Sequence, residues 1–582
     1  MTSPWHFGNT TVRNPNRIRD GLIVLKTSSL NGNLIGHENE LKFAEELDRA
    51  GVVTLTNKER DYSDLGRKWR SCFSQLGFIT HKFTRNLAAN ETDTVIYEVQ
   101  AGYNILGLSG KPYEITPSGL RMIQAESVQQ QNECMLRALL AYELPSVIEP
   151  NNGTTTFSPF VLILQVLKSI SLSNDARGLS KAEMSIVQVC RSHEEIDLLM
   201  QKIQEYRARH DGVTGRVPQR QIENQLLQQI ADDAVLARGT MKDYADVNFR
   251  YPRLTGLVSL QGKRLVLNPN KLPVIDAILQ GFTIIGKEQS NAYLTRLWKG
   301  AELPTDNEAN AISEIRRFRQ LLLDSGYDEA ELPAIPISGE VTDINLVRIR
   351  YEELYQLYLE ERFAEQQSEA QQVREIIAYL KALDKQRIDD EFDIEIDDEP
   401  SFLEWTFWRA FLAVNSLVNK PHEARRFKVD QDFYPLSCAS GGGADMIFEF
   451  EDYALVVEVT LTSSSRQEAA EGEPVRRHVA KEKTKYQEKN KPVYGLFLAR
   501  TVDNNTAETF RIGVWYRGDE PEFINIVPLT LAQFIKVMEK FLEAPFENQH
   551  FKKLLDGCLI PRNAHAPAWK REIEKTVNTF VG

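Results

Sequence analysis

A chain of 582 residues, 42% hydrophobic and 26% charged, has an ordinary globular composition: too long for one core and too apolar to be disordered. Its five cysteines are odd in number, lie far apart and form no Cys-x-x-Cys pair, which argues against a disulfide framework or a zinc site. No apolar run has the length of a membrane span and the first residues carry no signal-peptide core, so the expectation is a soluble cytoplasmic protein without a membrane partner.

The net charge of −13, from 69 basic and 82 acidic residues, argues against a nucleic-acid partner when taken as a sum. Its distribution argues the other way. The first 37 residues hold one acid, Asp20, against Arg13, Arg17, Arg19 and Lys26. Residues 65–90 hold no acid but contain Arg67, Lys68, Arg70, Lys82 and Arg85, and residues 247–275 repeat the pattern with Arg250, Arg253, Lys263, Arg264 and Lys271. Acid-poor basic windows in an acidic chain point to a localised anion such as the backbone of double-stranded DNA. Chance clustering on solvated faces is the alternative.

In chain order, "RKWRSCFSQLGFIT" predicts a short amphipathic helix stopped by Gly77 and followed by a strand. "PYEITPSGLRMI" predicts a strand leading into a helix with Thr116 as N-cap and Pro117 at the first helical position. The pattern resembles a winged helix-turn-helix over residues 1–140. A second copy over 141–285 is clearer. "SPFVLILQVLKSI" is an apolar helix, "LSKAEMSIVQVC" starts with a Ser180–Glu183 capping box, and "LTGLVSLQGKRLVLNP" is a hairpin around Gln261-Gly262 with Lys263 and Arg264 at its tip. Arg67, Lys68, Arg70, Lys181, Lys263 and Arg264 are therefore the candidate DNA contacts. A pair of helical scaffolding domains is the competing reading.

Residues 286–399 predict a helical linker, with Val347, Tyr351, Leu354 and Tyr358 at helical spacing in a polar remainder. It ends in "DDEFDIEIDDEP", acidic without a base, which reads as a solvated linker rather than a metal site. The last domain spans 400–582.

That domain contains "GGGADMIFEFEDYALVVEVTLT". With Glu451 and Asp452 as a two-residue turn, Asp445 falls directly opposite Glu458, and Met446, Phe448, Phe450, Tyr453, Leu455 and Val457 share one apolar face. Opposed carboxylates with Cβ atoms about 5 Å apart repel each other, so the pair calls for a cation, and Mg²⁺ suits one or two carboxylates plus water and phosphate. Otherwise the register differs and the acids merely cap strand ends. Upstream, Glu404 is an isolated acid in the amphipathic helix "SFLEWTFWRAFLAVN"; downstream lie Glu471, Glu473, His478, Lys481, Lys483 and Lys485.

The order acid-bearing helix, Asp, hairpin, Glu-x-Thr and acid-rich loop running into Glu-Pro-x-x-Arg-His resembles the AlwI family of type IIS restriction endonucleases, which includes site-specific nicking enzymes. "FLEWTFW", "ADMIFEFEDYALVVEVT" and "EGEPVRRH" carry the resemblance, and "FSPFVLILQVLK", "LSKAEMSIVQVC" and "TGLVSLQGKRLVLNP" are similar to its recognition half. The resemblance implies a multidomain α+β chain: winged-helix recognition domains, a helical linker, and a C-terminal α/β PD-(D/E)XK nuclease domain with a mixed sheet. It implies that Asp445, Glu458 and Glu404 hold Mg²⁺, that Glu471 is a further acidic active-site position, and that His478 supports it. The usual superfamily lysine is Thr460 here, a departure the family shares; Lys481 and Lys485 are candidates for the missing charge, or are simply solvated. A bacterial restriction-modification system with a cognate methyltransferase is implied, as are 5′-phosphate products and cleavage at a fixed offset from an asymmetric site. One active site per chain cuts one strand, so double-strand cleavage needs a homodimer on DNA or a second nuclease subunit. A strand-specific nicking enzyme, a non-catalytic DNA-binding protein and an acidic peptide-binding scaffold remain as alternatives.

Overall fold

The computed structural model describes residues 4–12, 14–57, 59–81, 106–150, 155–389, 391–392, 394–463 and 466–582. Arg13, Lys82 and Arg85 of the basic windows, and Asp390 and Asp393 of the acidic run, lie outside them. The fold is α+β, mostly helical with a mixed sheet. The chain forms two compact units, Met1–Glu353 and Leu354–Gly582.

In the first unit, the expected helix of the second basic window spans Ser63–Gln75, with Trp69, Cys72 and Phe73 on its buried face. Ile79 and Ile115 pair antiparallel, and the next helix, Pro117–Gln124, starts where expected, the Thr116 hydroxyl accepting from the Gly119 N–H. The apolar helix is Pro159–Leu172, and Lys181–Val187 carries the Ser180–Glu183 capping box. Helices Ile196–Asp211, Arg216–Ala234 and Arg238–Arg250 then precede the hairpin of β1, Val258–Gln261, and β2, Arg264–Leu267. Gln261 pairs with Arg264, so the turn residues are Gly262 and Lys263, both at positive φ. That corrects the turn by one residue: Arg264 begins β2 instead of sitting at the tip. Gly262 supplies the left-handed conformation that a two-residue turn of this hand needs, and Lys263 tolerates it at an exposed tip.

Residues 286–399 are largely helical, and their apolar positions divide between two cores. Tyr293, Leu294, Leu297 and Trp298 of the helix Ser290–Lys299 join the core of the first unit, whereas Val373, Ile376, Ile377, Leu380 and Leu383 of the helix Ala370–Leu383 join that of the second. Their apolar faces are wide enough to require burial, which outweighs the polar average of the segment.

The second unit is built on a four-stranded sheet of β3, Met446–Glu449, β4, Ala454–Thr460, β5, Val493–Ala499, and β8, Asn525–Thr530; β6, Val514–Arg517, and β7, Glu520–Phe523, form a separate hairpin. The order is β3-β4-β5-β8, with β3 antiparallel to β4 and the remaining pairs parallel. Parallel neighbours demand crossovers, and the helix Glu473–Gln487 supplies the one from β4 to β5. Helices cover both faces. Phe411 of the helix Glu399–Leu412 lies 5.0 Å, ring to ring, from Phe448 on one face, and Val479 packs over Gly495 on the other. A strand buried on both sides reads as a nearly continuous apolar run, which is what Leu455–Val457 and Val459 are. Asp398, at the end of the acidic run, caps the helix Glu399–Leu412 by accepting from the Ser401 N–H.

Candidate active site

The β3–β4 register pairs Met446 with Val457 and Glu449 with Ala454. One step further, Asp445 stands opposite Glu458, and its Oδ2 accepts from the Val459 N–H at 2.9 Å. Glu404 arrives from the helix Glu399–Leu412, where its Oε2 accepts from the Ala439 N–H at 2.6 Å. Glu404 is 7% exposed and Glu458 6%, so both carboxylates are taken out of water in a site with few cations.

The electrostatics follow from that placement. Burial, and then the Asp445 charge, raise the Glu404 carboxyl well above the ordinary carboxylate range. Burial and then Glu458 do the same to Asp445, against the pull of the Val459 N–H. Glu458 is pushed up to about 8 by burial and by Glu471. Glu471 is raised by burial, with the Thr460 hydroxyl bonding to it and opposing the rise. The His478 imidazole is held below its usual value by burial and by Arg477 and Arg426. Its Nδ1 lies 2.6 Å from Glu458 Oε1. An acid raised and a base lowered at that distance hold one proton between them.

Thus the structure brings Glu404, Asp445, Glu458, Glu471 and His478 to one place, around the end of the β3–β4 ladder. Among the described residues, no three His, Cys, Asp or Glu side chains are already drawn in as a metal cage. Each of the three inner carboxylates is instead held by a main-chain N–H or by His478. The donor set nonetheless fits a hard divalent cation: all-oxygen ligands whose mutual repulsion a dication would relieve, with Mg²⁺ needing only one or two of them directly.

Two features were not read from the sequence. Glu468–Gly472 form a π-helical turn ahead of the helix Glu473–Gln487, and this turn carries Glu471. Arg426 is the second: its charge lowers the proton affinity of Asp445, Glu458 and His478 together. The Gly-Gly-Gly run before Asp445 was the only trace of it, because a Cβ on Gly443 would sit 2.2 Å from Arg426 Nη1.

The candidate DNA contacts are mostly engaged within the protein. Arg67 and Lys68 both pair with Asp64 on their own helix, Lys68 at 2.8 Å. Arg70 pairs with Glu40 and lies over the Tyr113 ring. Lys181 pairs with Asp246 at 3.2 Å, and Arg264 with the buried Glu183 at 2.9 Å. Lys263 is exposed at its turn. Of the two lysines weighed for the missing charge, Lys485 lies 3.5 Å from Glu482, and Lys481 is exposed on the helix surface. No helix among the described residues is long and apolar enough to cross a membrane.

A mixed sheet between helices with acids gathered at one end of a hairpin defines a class of site, but the class takes a name only by comparison. The profile of the AlwI restriction endonuclease family matches residues 74–537, and the chain belongs to that family. It is by membership a restriction endonuclease. Comparison with curated proteins finds no match. Among solved structures, the small subunit (R.BspD6I2) of the heterodimeric restriction endonuclease R.BspD6I is 22% identical, over 35% of this chain and 98% of that one, with a TM-score of 0.28. Restriction endonuclease FokI is 10% identical over 95% of this chain and 99% of its own, with a TM-score of 0.25. The family match, not these two likenesses, carries the assignment.

Proposed function

We propose that this restriction endonuclease is of type IIS: it recognises a short asymmetric duplex sequence through its first unit and hydrolyses phosphodiester bonds at a fixed offset through its second, within a restriction-modification system whose methyltransferase protects the same site. The observation that supports the catalytic half of this reading is the set of buried carboxylates Glu404, Asp445 and Glu458, each raised toward its neutral form by burial and by another acid. Such a set is costly to keep unless it meets a cation during its working cycle.

Glu404, Asp445 and Glu458 would hold Mg²⁺, which when bound supplies Lewis acidity and an acidified water. The protein's own groups do the rest. The Val459 N–H and the Ala439 N–H fix the Asp445 and Glu404 carboxylates in place. His478, with its Nδ1 2.6 Å from Glu458 Oε1, bonds that carboxyl and orients it. Glu471, bonded by Thr460, extends the negative field toward the outer end of the site. In the first unit, the winged-helix reading places the β1–β2 turn, with Lys263 at its tip, against the phosphate backbone.

Two tests address this reading. Supercoiled DNA incubated with the protein and Mg²⁺ should give discrete linear fragments, absent from an Asp445→Asn lane, whose mapped ends lie at a constant distance from a common asymmetric sequence. Open circles alone would mark a strand-specific nicking enzyme, and unchanged supercoil over several DNAs would mark a binding protein.

The second test uses linkage. Because Glu458 binds its proton more tightly in the folded state, where its affinity rises from 4.5 to about 8, the folded chain holds a proton that the unfolded chain has lost across that window. Stability of the metal-free protein therefore falls as pH rises through it. Thermal midpoints should drop between the acid and the alkaline end of the window, Ca²⁺ should restore them at the alkaline end far more than at the acid end, and Asp445→Asn should blunt both effects. A Ca²⁺ response equal in wild type and variant would remove the metal from this site.

A further inference from the structure

We infer that Arg426 is the cation that meets the scissile phosphate, acting as a catalytic residue alongside the carboxylate cluster; the inference rests on the endonuclease reading above. A site that gathers Glu404, Asp445, Glu458 and Glu471 has to admit a phosphodiester that is itself an anion. Ligands to a cation neutralise that cation but leave the phosphoryl oxygens, where charge grows in the transition state, in need of a donor. The side chain two residues past Glu458 is Thr460, whose hydroxyl is occupied with Glu471 and which carries no charge.

Arg426 is built for that place. Its main-chain N–H donates to the Asp445 carbonyl at 3.2 Å, so the residue runs alongside the strand that carries Asp445. Arg425, the residue before it, pairs antiparallel with Met446 and is locked by a two-pronged ion pair with the buried Glu360, 2.8 Å at each prong, with its Nη1 on the Phe427 carbonyl. The neighbour is thus anchored by a buried acid, while the charge of Arg426 reaches Asp445 and Glu458. Its Nη2 makes only two long contacts, 3.3 Å to Ser440 Oγ and 3.3 Å to the Gly441 carbonyl, and its Nη1 is buried without a hydrogen-bond partner. Among the described residues it makes no ion pair. A buried guanidinium N–H left without an acceptor is costly, and it persists where an acceptor arrives with the substrate. Gly443 keeps the space: any side chain there would collide with Nη1.

Of the other cations near the site, Lys481 is exposed on the surface of the helix Glu473–Gln487, and three more are engaged elsewhere. Arg477 lies 3.0 Å from Glu473 and is 46% exposed, Lys485 pairs with Glu482, and Lys483 donates to the Phe523 carbonyl at 2.6 Å. A guanidinium also suits two phosphoryl oxygens better than an ammonium does, through parallel N–H bonds.

Single-turnover cleavage in Mg²⁺ of a duplex that the wild type cuts, binding of the same duplex in Ca²⁺, and thermal midpoints without metal test this on the full chain. Arg426→Gln should slow cleavage about 100-fold, while binding and midpoint shift little. Arg426→Lys, which keeps the charge, should recover about tenfold of that loss, and Gly443→Ala, which displaces the guanidinium, should fall between it and Arg426→Gln. Cleavage by Arg426→Gln within about threefold of wild type would overturn the assignment, as would equal loss in both Arg426 variants with a lowered midpoint, since that pattern is structural. Asp445→Asn separates the two levels of failure. If Asp445→Asn is inactive and Arg426→Gln is not, only the role of Arg426 falls; if Asp445→Asn cuts as the wild type does, the proposed active site falls and Arg426 with it.

Discussion

Asp445→Asn is expected to lower cleavage by a thousandfold or more, on the order of what removing one member of a cooperating catalytic set costs, while leaving the metal-free fold at least as stable as the wild type. The reason lies in what the carboxylate does in the folded chain. Its carboxylate accepts a hydrogen bond from the Val459 N–H, which an amide oxygen can accept equally well. Its relations with the other acids are repulsive, with Arg426 alone pulling the other way: its charge raises the proton affinity of Glu404, and Glu458 and Glu471 raise its own. Removing it relieves that repulsion, and the gain is largest at alkaline pH, where the neighbours are most ionised. Cleavage kinetics and thermal midpoints on the same preparations check both halves. A variant that unfolds would mean that Asp445 holds the hairpin in place, and a variant that cuts normally would mean that the acids are not catalytic.

The hairpin was legible because a two-residue turn leaves no freedom in register: with Glu451 and Asp452 assigned, every pairing follows, and Met446 with Val457 is among them. Glu404 was legible as an acid among aromatics, but its anchor, the Ala439 N–H, comes from a loop whose path the sequence does not state. The basic windows misled for a local reason. Asp64 lies one residue before the second window, yet on a helix it is three and four residues from Arg67 and Lys68, which is where partners meet. Arg264 was misplaced by a one-residue shift in the turn, and that shift moved it from an exposed tip to a buried acid. Arg426 left only the glycine run as a signal, since its proximity to Asp445 comes from a main-chain contact across a loop whose path the sequence does not state.

That shift at the turn leads to the second large effect. Glu183 is fully buried and accepts from Arg207 Nε at 2.8 Å, from Arg264 Nη1 at 2.9 Å and from its own cap, the Ser180 N–H, at 2.8 Å. Burial alone would raise its pKa, but Arg207, Arg264 and the cap outweigh it, and the carboxyl ends below its ordinary value. Glu183→Ala strands Arg207, itself 5% exposed, as a buried cation with part of its bonding gone, and should destabilise the chain by about 3–5 kcal/mol in urea unfolding. Arg264→Ala should cost much less, because Arg207 still neutralises Glu183. The pH dependence has the opposite sign to that of the active site: a depressed acid stabilises the fold above its unfolded value of 4.5, and the contribution is lost as pH falls below it. The ranking decides what Arg264 does. If Arg264→Ala leaves stability untouched but weakens duplex binding and lowers its salt dependence by about one ion, the guanidinium spends its charge on phosphate and the buried pairing is incidental. If it costs stability with an unchanged salt slope, Arg264 belongs to the first unit's core, and recognition has to be sought at the exposed turn beside it.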